Sequence, residues 1–409
     1  MTQSLLTPTV IAKEALMQLE NNMVMAALVH RDYKKEFVKI GDSVTIRKPV
    51  KFSVTDGATR TNQDVEEGST SITINQRKHV SWGFSTNDLT LSIQEYSERY
   101  ITPAMISLAN NVDAALCGLY SSVPTWVGTP GQTINSFADF SVGAQRLDEM
   151  AVPKSGRNAV LSPADYWGMV GNLTGLAIDA NSTSDKALKQ GLITHNIAGI
   201  NMAMDQNVKR HTVGVGTGTP LTDGGSQEVT YNASLTSFQQ TLVTDGWTTA
   251  VTLAAGDVIT IDTVFAVNPV SKETLDFLQP FTLVSAVTAN ATTTADTTLT
   301  ITPPIIVAGP YQTVSTSPAD GATINYIGTA STAYPQNLVF HKNAFALVTV
   351  PLEMPDSAGW KARESRNGLS VRLVKFYDGD NDVEYIRADI LYGVQTIYPE
   401  LAARISGSA

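Results

Sequence analysis

The chain has 409 residues, 43% of them hydrophobic, a formal net charge of −10 and one cysteine. That is enough apolar material for two or three domains with cores of their own. The lone Cys117 excludes a disulfide framework and a thiolate metal site, and the five histidines (His30, His79, His195, His211, His341) lack ligand spacing, so neither metal nor cofactor is expected. No apolar run approaches the roughly 18 residues of a membrane span. The N-terminus lacks the basic-then-apolar pattern of a signal peptide, which places folding in a reducing cytoplasm.

In chain order, Thr7 and Pro8 read as the N-cap and first turn of a helix. Its apolar stripe is Ala12, Ala15, Leu16, Leu19, Met23, Ala26 and Ala27, which packs at home or reaches a neighbour; the residues leave both open. From Ser43 the period becomes two. Val44, Ile46, Val50, Phe52 and Val54 alternate on the way out, and Ile72, Ile74, Val80, Trp82 and Phe84 on the return. This predicts a long two-stranded ribbon with a polar tip at Thr55 to Ser69. A lone hairpin is marginal in water, so its apolar face needs the long helix that follows or another subunit.

That helix is predicted over Ser92 to Ser122. Ser92 and Glu95 form a capping box, and Ile93, Tyr96, Tyr100, Ala104, Leu108, Val112, Ala115 and Leu119 make one stripe. Asn110 and Asp113 fall on the opposite, polar face. Pro103 predicts a kink near Arg99 to Ile101. About 30 residues would run on the order of 45 Å, and Cys117 within it reads as a buried small hydrophobe.

An alternating α/β stretch comes next: a helix over Asn135 to Met150 with Phe140, Val142, Leu147 and Met150 inward, a strand at Asn158 to Leu161, a helix from Ser162-Pro163 through Tyr166, Trp167, Val170 and Leu173, a polar loop at Asp179 to Asp185, and a strand at Ile197 to Met204. Composition then shifts. Thr212 to Ala333 is roughly a quarter threonine, far above ordinary usage, and holds nine acidic residues against one basic, Lys272. Its local charge is −8, leaving −2 for the rest, so it disfavours a nucleic-acid surface. β-branched runs at Val229 to Tyr231, Thr248 to Leu253, Val258 to Ile261, Phe281 to Val287, Thr298 to Ile301 and Thr323 to Ile327 predict a small barrel or sandwich, with Thr288 to Thr298 as linker. The tail returns to strands at Leu338 to Val350, Leu369 to Tyr377 and Val383 to Thr396, with a turn at Asp378 to Asn381.

Catalytic motifs do not hold up. Gly214-Val215-Gly216-Thr217-Gly218 has no following helix and no phosphate-loop lysine, so it reads as a flexible boundary. Asp378 to Asp382 lacks the glycine and closing glutamate of a calcium loop, and no Gly-x-Ser-x-Gly elbow is present. An enzyme is not expected. Asp64, Glu66 and Glu67 face Arg77 and Lys78 along the expected ribbon; surface solvation and inter-subunit salt bridges are the two readings of that set.

The order of parts resembles the major capsid proteins of tailed double-stranded DNA bacteriophages. Leu108-Ala109-Asn110-Asn111-Val112-Asp113 is similar to the matching helix of the coat-protein family with an inserted β-barrel domain. Asp389-Ile390-Leu391-Tyr392-Gly393-Val394, with Pro399-Glu400-Leu401-Ala402 and Arg404, is similar to that family's C-terminal signature. The resemblance implies an α+β, Hong Kong 97-type capsid fold: N-terminal arm (1–42), extended loop and spine helix (43–134), first part of the axial domain (135–211), inserted β domain (212–333) and return strands (334–409). It implies hexamers and pentamers closing an icosahedral shell around double-stranded DNA, in a virion assembled in the host cytoplasm. The expected partners are other copies of the chain, a portal protein, DNA bound non-specifically and, since no helical delta-type segment precedes the ribbon, a separate scaffolding protein; no membrane is expected. An encapsulin-like nanocompartment shell, or a hydrolase or adhesin with a β accessory domain, are the alternatives. Charge places the insert on the outer surface of the shell, away from DNA.

Overall fold

A computed structural model of the chain describes residues 8–31, 43–58, 60, 62–85, 100–173, 197–290, 292–356, 358, 360–378 and 383–408. The expected capping box at Ser92 and Glu95, the loop at Asp179 to Asp185 and the turn residues after Asp378 lie outside them. The chain forms two compact units, Met1–Thr45 with Ser71–Cys117 and Phe345–Gln395, and Ile46–Thr70 with Gly118–Ala344 and Thr396–Ala409.

The first unit is built on an antiparallel sheet in the order Gln76–Ser85, Val383–Thr396, Leu369–Asp378, Trp360–Arg366, with Phe345–Thr349 also paired to Val383–Thr396. Alternation fixes its faces: Ile386, Ala388 and Ile390 are buried, as are Val371 and Leu373 on the neighbouring strand. The ribbon expectation is corrected here. Only Ser43–Arg47 and Ser69–Thr73 form a two-stranded pair, while Val80 and Trp82 sit on a strand whose partner arrives 300 residues later. A period of two identifies a strand and its face, but not its partner.

The helix Thr102–Cys117 follows a wide π turn at Tyr100 and Ile101 and ends in a tighter 3-10 turn, Gly118–Ser122. Pro103 is the second residue of this α-helix, directly after the π turn, and the irregularity at Tyr100 and Ile101 falls where a kink was expected. Asp113, expected on the solvent face, is buried: its carboxylate accepts the Val24 and Ala26 amides at 2.8 and 2.9 Å. These are first-turn donors of the short helix Met25–Leu28. Ile11, Ala12, Ala15, Leu16 and Leu19 of the helix Pro8–Asn21 are buried, so this stripe packs at home, although Ala27 is exposed. Cys117 is buried against the Met25 sulfur, 3.5 Å away.

The second unit has a mixed sheet ordered Trp126–Val127, Ala402–Ile405, Asn337–His341, Arg157–Leu161, Asn201–Met204. The helices Phe137–Glu149 and Pro163–Leu173 complete its core around Phe140, Leu147, Met169, Val339 and Ile405. Val142 and Trp167, expected inward, are largely exposed. Val142 is two residues from buried Phe140, more than half a helical turn round.

Arg210–Thr212 and Ala333–Pro335 pair, with Ala333 opposite Thr212, as chain ingoing and outgoing. Between them runs a six-stranded antiparallel sheet ordered Ile324–Tyr326, Val258–Val267, Thr274–Leu283, Thr297–Thr302, Gln240–Trp247, Gly218–Thr222. A bridge from Leu221 to Thr323 joins first strand to last and closes it into a barrel around Leu242, Trp247, Ile259, Phe281 and Leu299. Four expected runs became strands. Val229 to Tyr231 did not, the chain turning instead at Tyr231–Ser234, and Thr248 to Leu253 shrank to Thr252–Leu253. The expected linker ends in structure: Thr297 is buried and pairs with Thr244. Gly218 likewise begins a strand.

Candidate assembly loop

Beyond the strand pair Ser43–Arg47 and Ser69–Thr73, the described part of 48–68 has no helix or strand. Lys48 N–H still donates to the Gly68 carbonyl at 2.7 Å, and the ladder then stops. From there the loop carries Phe52, Val54 and Val65 into solvent at 64, 95 and 65% exposure. Ser53 N–H donates to Gln63 Oε1 at 2.9 Å, the side chain taking the place of a ladder bond.

Two tyrosines meet the root. The Tyr311 hydroxyl accepts the Lys51 N–H at 3.0 Å and donates to the Glu66 carbonyl at 2.8 Å, touching both arms at once. Its ring stacks on Tyr231, centroids 3.5 Å apart and planes within 4°. Burial, then the neighbouring Tyr311, push the Tyr231 phenol up to about 12. Ser69 N–H donates to Leu235 O at 2.9 Å. Beside this root lies a cavity of about 110 Å³ walled by Lys48, Pro124, Phe238, Pro269, Pro303 and Tyr398. Lys48 Nζ sits 5.4 Å from the Phe238 ring centre and 5.7 Å from that of Tyr398. Burial lowers its pKa, opposed by Glu400.

The residues singled out from sequence divide between the units. Asp64, Glu66 and Glu67 are on the loop, and Glu67 reaches Arg47 at 3.1 Å in an exposed pair of small worth. Arg77 and Lys78 are on the sheet strand Gln76–Ser85 rather than on the ribbon. Arg77 lies 4.0 Å from fully buried Asp389, which Arg372 and Arg387 contact at 2.5 and 2.8 Å. One carboxylate thus serves three guanidiniums.

The similarity-bearing segments turn out to be buried hubs, a role that spacing could not assign. Tyr392 hydroxyl donates to Asn111 at 2.9 Å. A side chain at Gly393 would collide with the Thr73 carbonyl. Arg404 is wholly buried and donates to the carbonyls of Val123 and Gly256, both at 2.8 Å, to Gln336 at 3.3 Å and to the Thr282 hydroxyl at 3.2 Å. Burial pulls its pKa down to about 9, against Tyr120 and Asp257. Beside it, Tyr120 hydroxyl and His211 Nδ1 are 3.0 Å apart, and His211 Nε2 and Asp257 2.7 Å. Asp257 also accepts the Ala254 and Gly214 amides and the Tyr326 hydroxyl. Arg404, His211 and Asp257 are buried, Tyr120 and Tyr326 partly so, and together these groups staple the root of the barrel.

Buried polar groups hold the sheets together, while the irregular loop leaves Phe52, Val54 and Val65 exposed. The chain belongs to the P22 coat protein family: the family model described as P22 coat protein, gene protein 5, matches residues 2–407. It is 26% identical over 291 residues to a major capsid protein of Acyrthosiphon pisum secondary endosymbiont phage 1, covering 69% of this chain and 68% of that one. Similar solved structures include a Mycobacterium phage Che8 chain, 14% identical with TM-score 0.47 over 93% of this chain and 90% of that one. A chain from the capsid of Cyanophage P-SCSP1u is 13% identical with TM-score 0.44, covering 95% and 89%. The CUS-3 coat protein I-domain, 22% identical with TM-score 0.20, covers 28% of this chain and 98% of its own. The role that goes with membership is structural, that of a phage capsid shell. The α+β elements run in the order N-terminal helix, loop, long helix, α/β layer, β insertion and returning strands. Among the described residues no helix is long and apolar enough to cross a membrane.

Proposed function

We propose that this chain is the major capsid protein of a tailed phage, forming hexamers and pentamers of an icosahedral shell around double-stranded DNA, assembled in the host cytoplasm with scaffolding and portal proteins as partners and without catalysis of its own. The observation that carries the reading is the loop 48–68: Val54 at 95% exposure, with Phe52 and Val65, has no cover at home. In a coat protein the available cover is the next copy.

The acidic side of that loop meets a basic face of a neighbouring copy. Asp64, Glu66 and Glu67 supply carboxylates; Arg77 and Lys78 stand on a sheet where, among the described residues, Arg77, Arg372 and Arg387 share the carboxylate of Asp389. The excess positive charge supports that pairing. Reversing Asp64 and Glu66 to Lys should block shell formation, as should reversing Arg77 and Lys78 to Glu, and mixing the two variants should restore it. Mixed variants that stay unassembled while each folds normally would refute the pairing. The 212–333 segment is a separate domain on the outer surface, its −8 charge kept from DNA. Expressed alone, it should melt cooperatively as an all-β protein; random-coil spectra would overturn its autonomy.

A further inference from the structure

We infer that Tyr311, braced by Tyr231, is a clamp that sets the direction in which the loop leaves the subunit, and so fixes the geometry of the contact with the neighbour. The inference rests on the assembly reading above and adds the element that governs it.

The loop's arms stop pairing after Lys48 and Gly68. Further out, three residues along one arm and two along the other, the Lys51 amide and the Glu66 carbonyl are bridged by one phenolic oxygen. That oxygen belongs to a rigid post. Thr313 N–H donates to Ile306 O at 2.9 Å, Ile306 N–H to Thr313 Oγ1 at 3.0 Å, and the Thr313 hydroxyl to Pro304 O at 2.7 Å, fixing the turn that presents Tyr311. Tyr231, on the 3-10 turn Tyr231–Ser234, backs the ring face to face and closes on Gly68, where any side chain would strike its hydroxyl. The post and the arms are distant in sequence, so only the folded 212–333 segment can supply the bridge.

The lever is long. About ten residues per arm at ~3.3 Å each reach on the order of 30 Å, so a turn of ~10° at the root moves the tip by ~5 Å. That displacement exceeds a salt bridge's reach, whereas losing one hydroxyl at a half-buried site leaves the barrel core untouched.

Tyr311→Phe keeps the stack and removes the bridge; Gly68→Ala displaces Tyr231 instead. On free subunits, spin labels at Val54→Cys and Thr329→Cys should give a narrow distance distribution that broadens in both variants. The Lys51 amide should exchange at least ~10-fold faster, with the melting temperature unchanged. In assembly, shells should become mixed in size or remain open. An unchanged label distribution in Tyr311→Phe overturns the clamp, and so do uniform shells of normal size from a variant whose label distribution has broadened. Failure of the unaltered chain to form shells would instead overturn the assembly reading, with the label distances still deciding the clamp.

Discussion

The barrel between Thr212 and Ala333 and the loop 48–68 solve the same problem in opposite ways. The barrel joins its first strand to its last, leaving no open edge there, and covers Leu242, Trp247, Phe281 and Leu299 with its own strands. The loop abandons its ladder after Lys48 and holds Phe52, Val54 and Val65 in water. One segment is finished within the chain, and the other, in the function proposed above, is finished by a neighbour. Substitutions in the barrel should therefore register as lost stability, and those in the loop as lost assembly at constant stability.

The largest effect is expected in the barrel core. Phe281→Ala should cost about 3–5 kcal/mol by thermal or denaturant unfolding, and a cost near zero would mean the barrel is not packed as described. Arg404→Met comes next. It strands the carbonyls of Val123 and Gly256, and about 3 kcal/mol should be lost; a neutral result would remove the barrel's staple from the account. In the loop, Val54→Ser alone should change stability by no more than about 0.5 kcal/mol.

A further expected effect is one of pH. Burial, then Lys51, pull Lys272 down to about 8 from the ordinary lysine value of 10.5. Between those values the unfolded chain holds the proton and the folded chain does not, so stability should rise with pH across that window. Lys272→Met should flatten that rise. A slope that persists in the variant would assign it to another group.

Much of this was readable in the residues. Alternation located the strand Gln76–Ser85, the tail was read as containing the strand Val383–Thr396, and β-branched runs located four barrel strands. Pairing was not readable, because the same period-two pattern suits a hairpin and a sheet partner 300 residues away. Asp113 looked like a solvent-facing acid because helical spacing reports a face, not the backbone donors of a second helix that meets it. Arg404 was visible as part of a C-terminal pattern, yet its four acceptors come from four separate segments. Tyr311 left no local signal at all. Its role exists only where the turn after Ile306 meets the loop root.

The most direct test of the central claim is sedimentation velocity on the triple variant Phe52→Ser, Val54→Ser, Val65→Ser, alongside the unaltered chain under assembly conditions. The account predicts a variant with unchanged melting temperature that sediments as unassembled subunits where the unaltered chain forms shells. Closed shells of normal size from the variant would contradict it, because the loop's exposed apolar side chains would then need no neighbour.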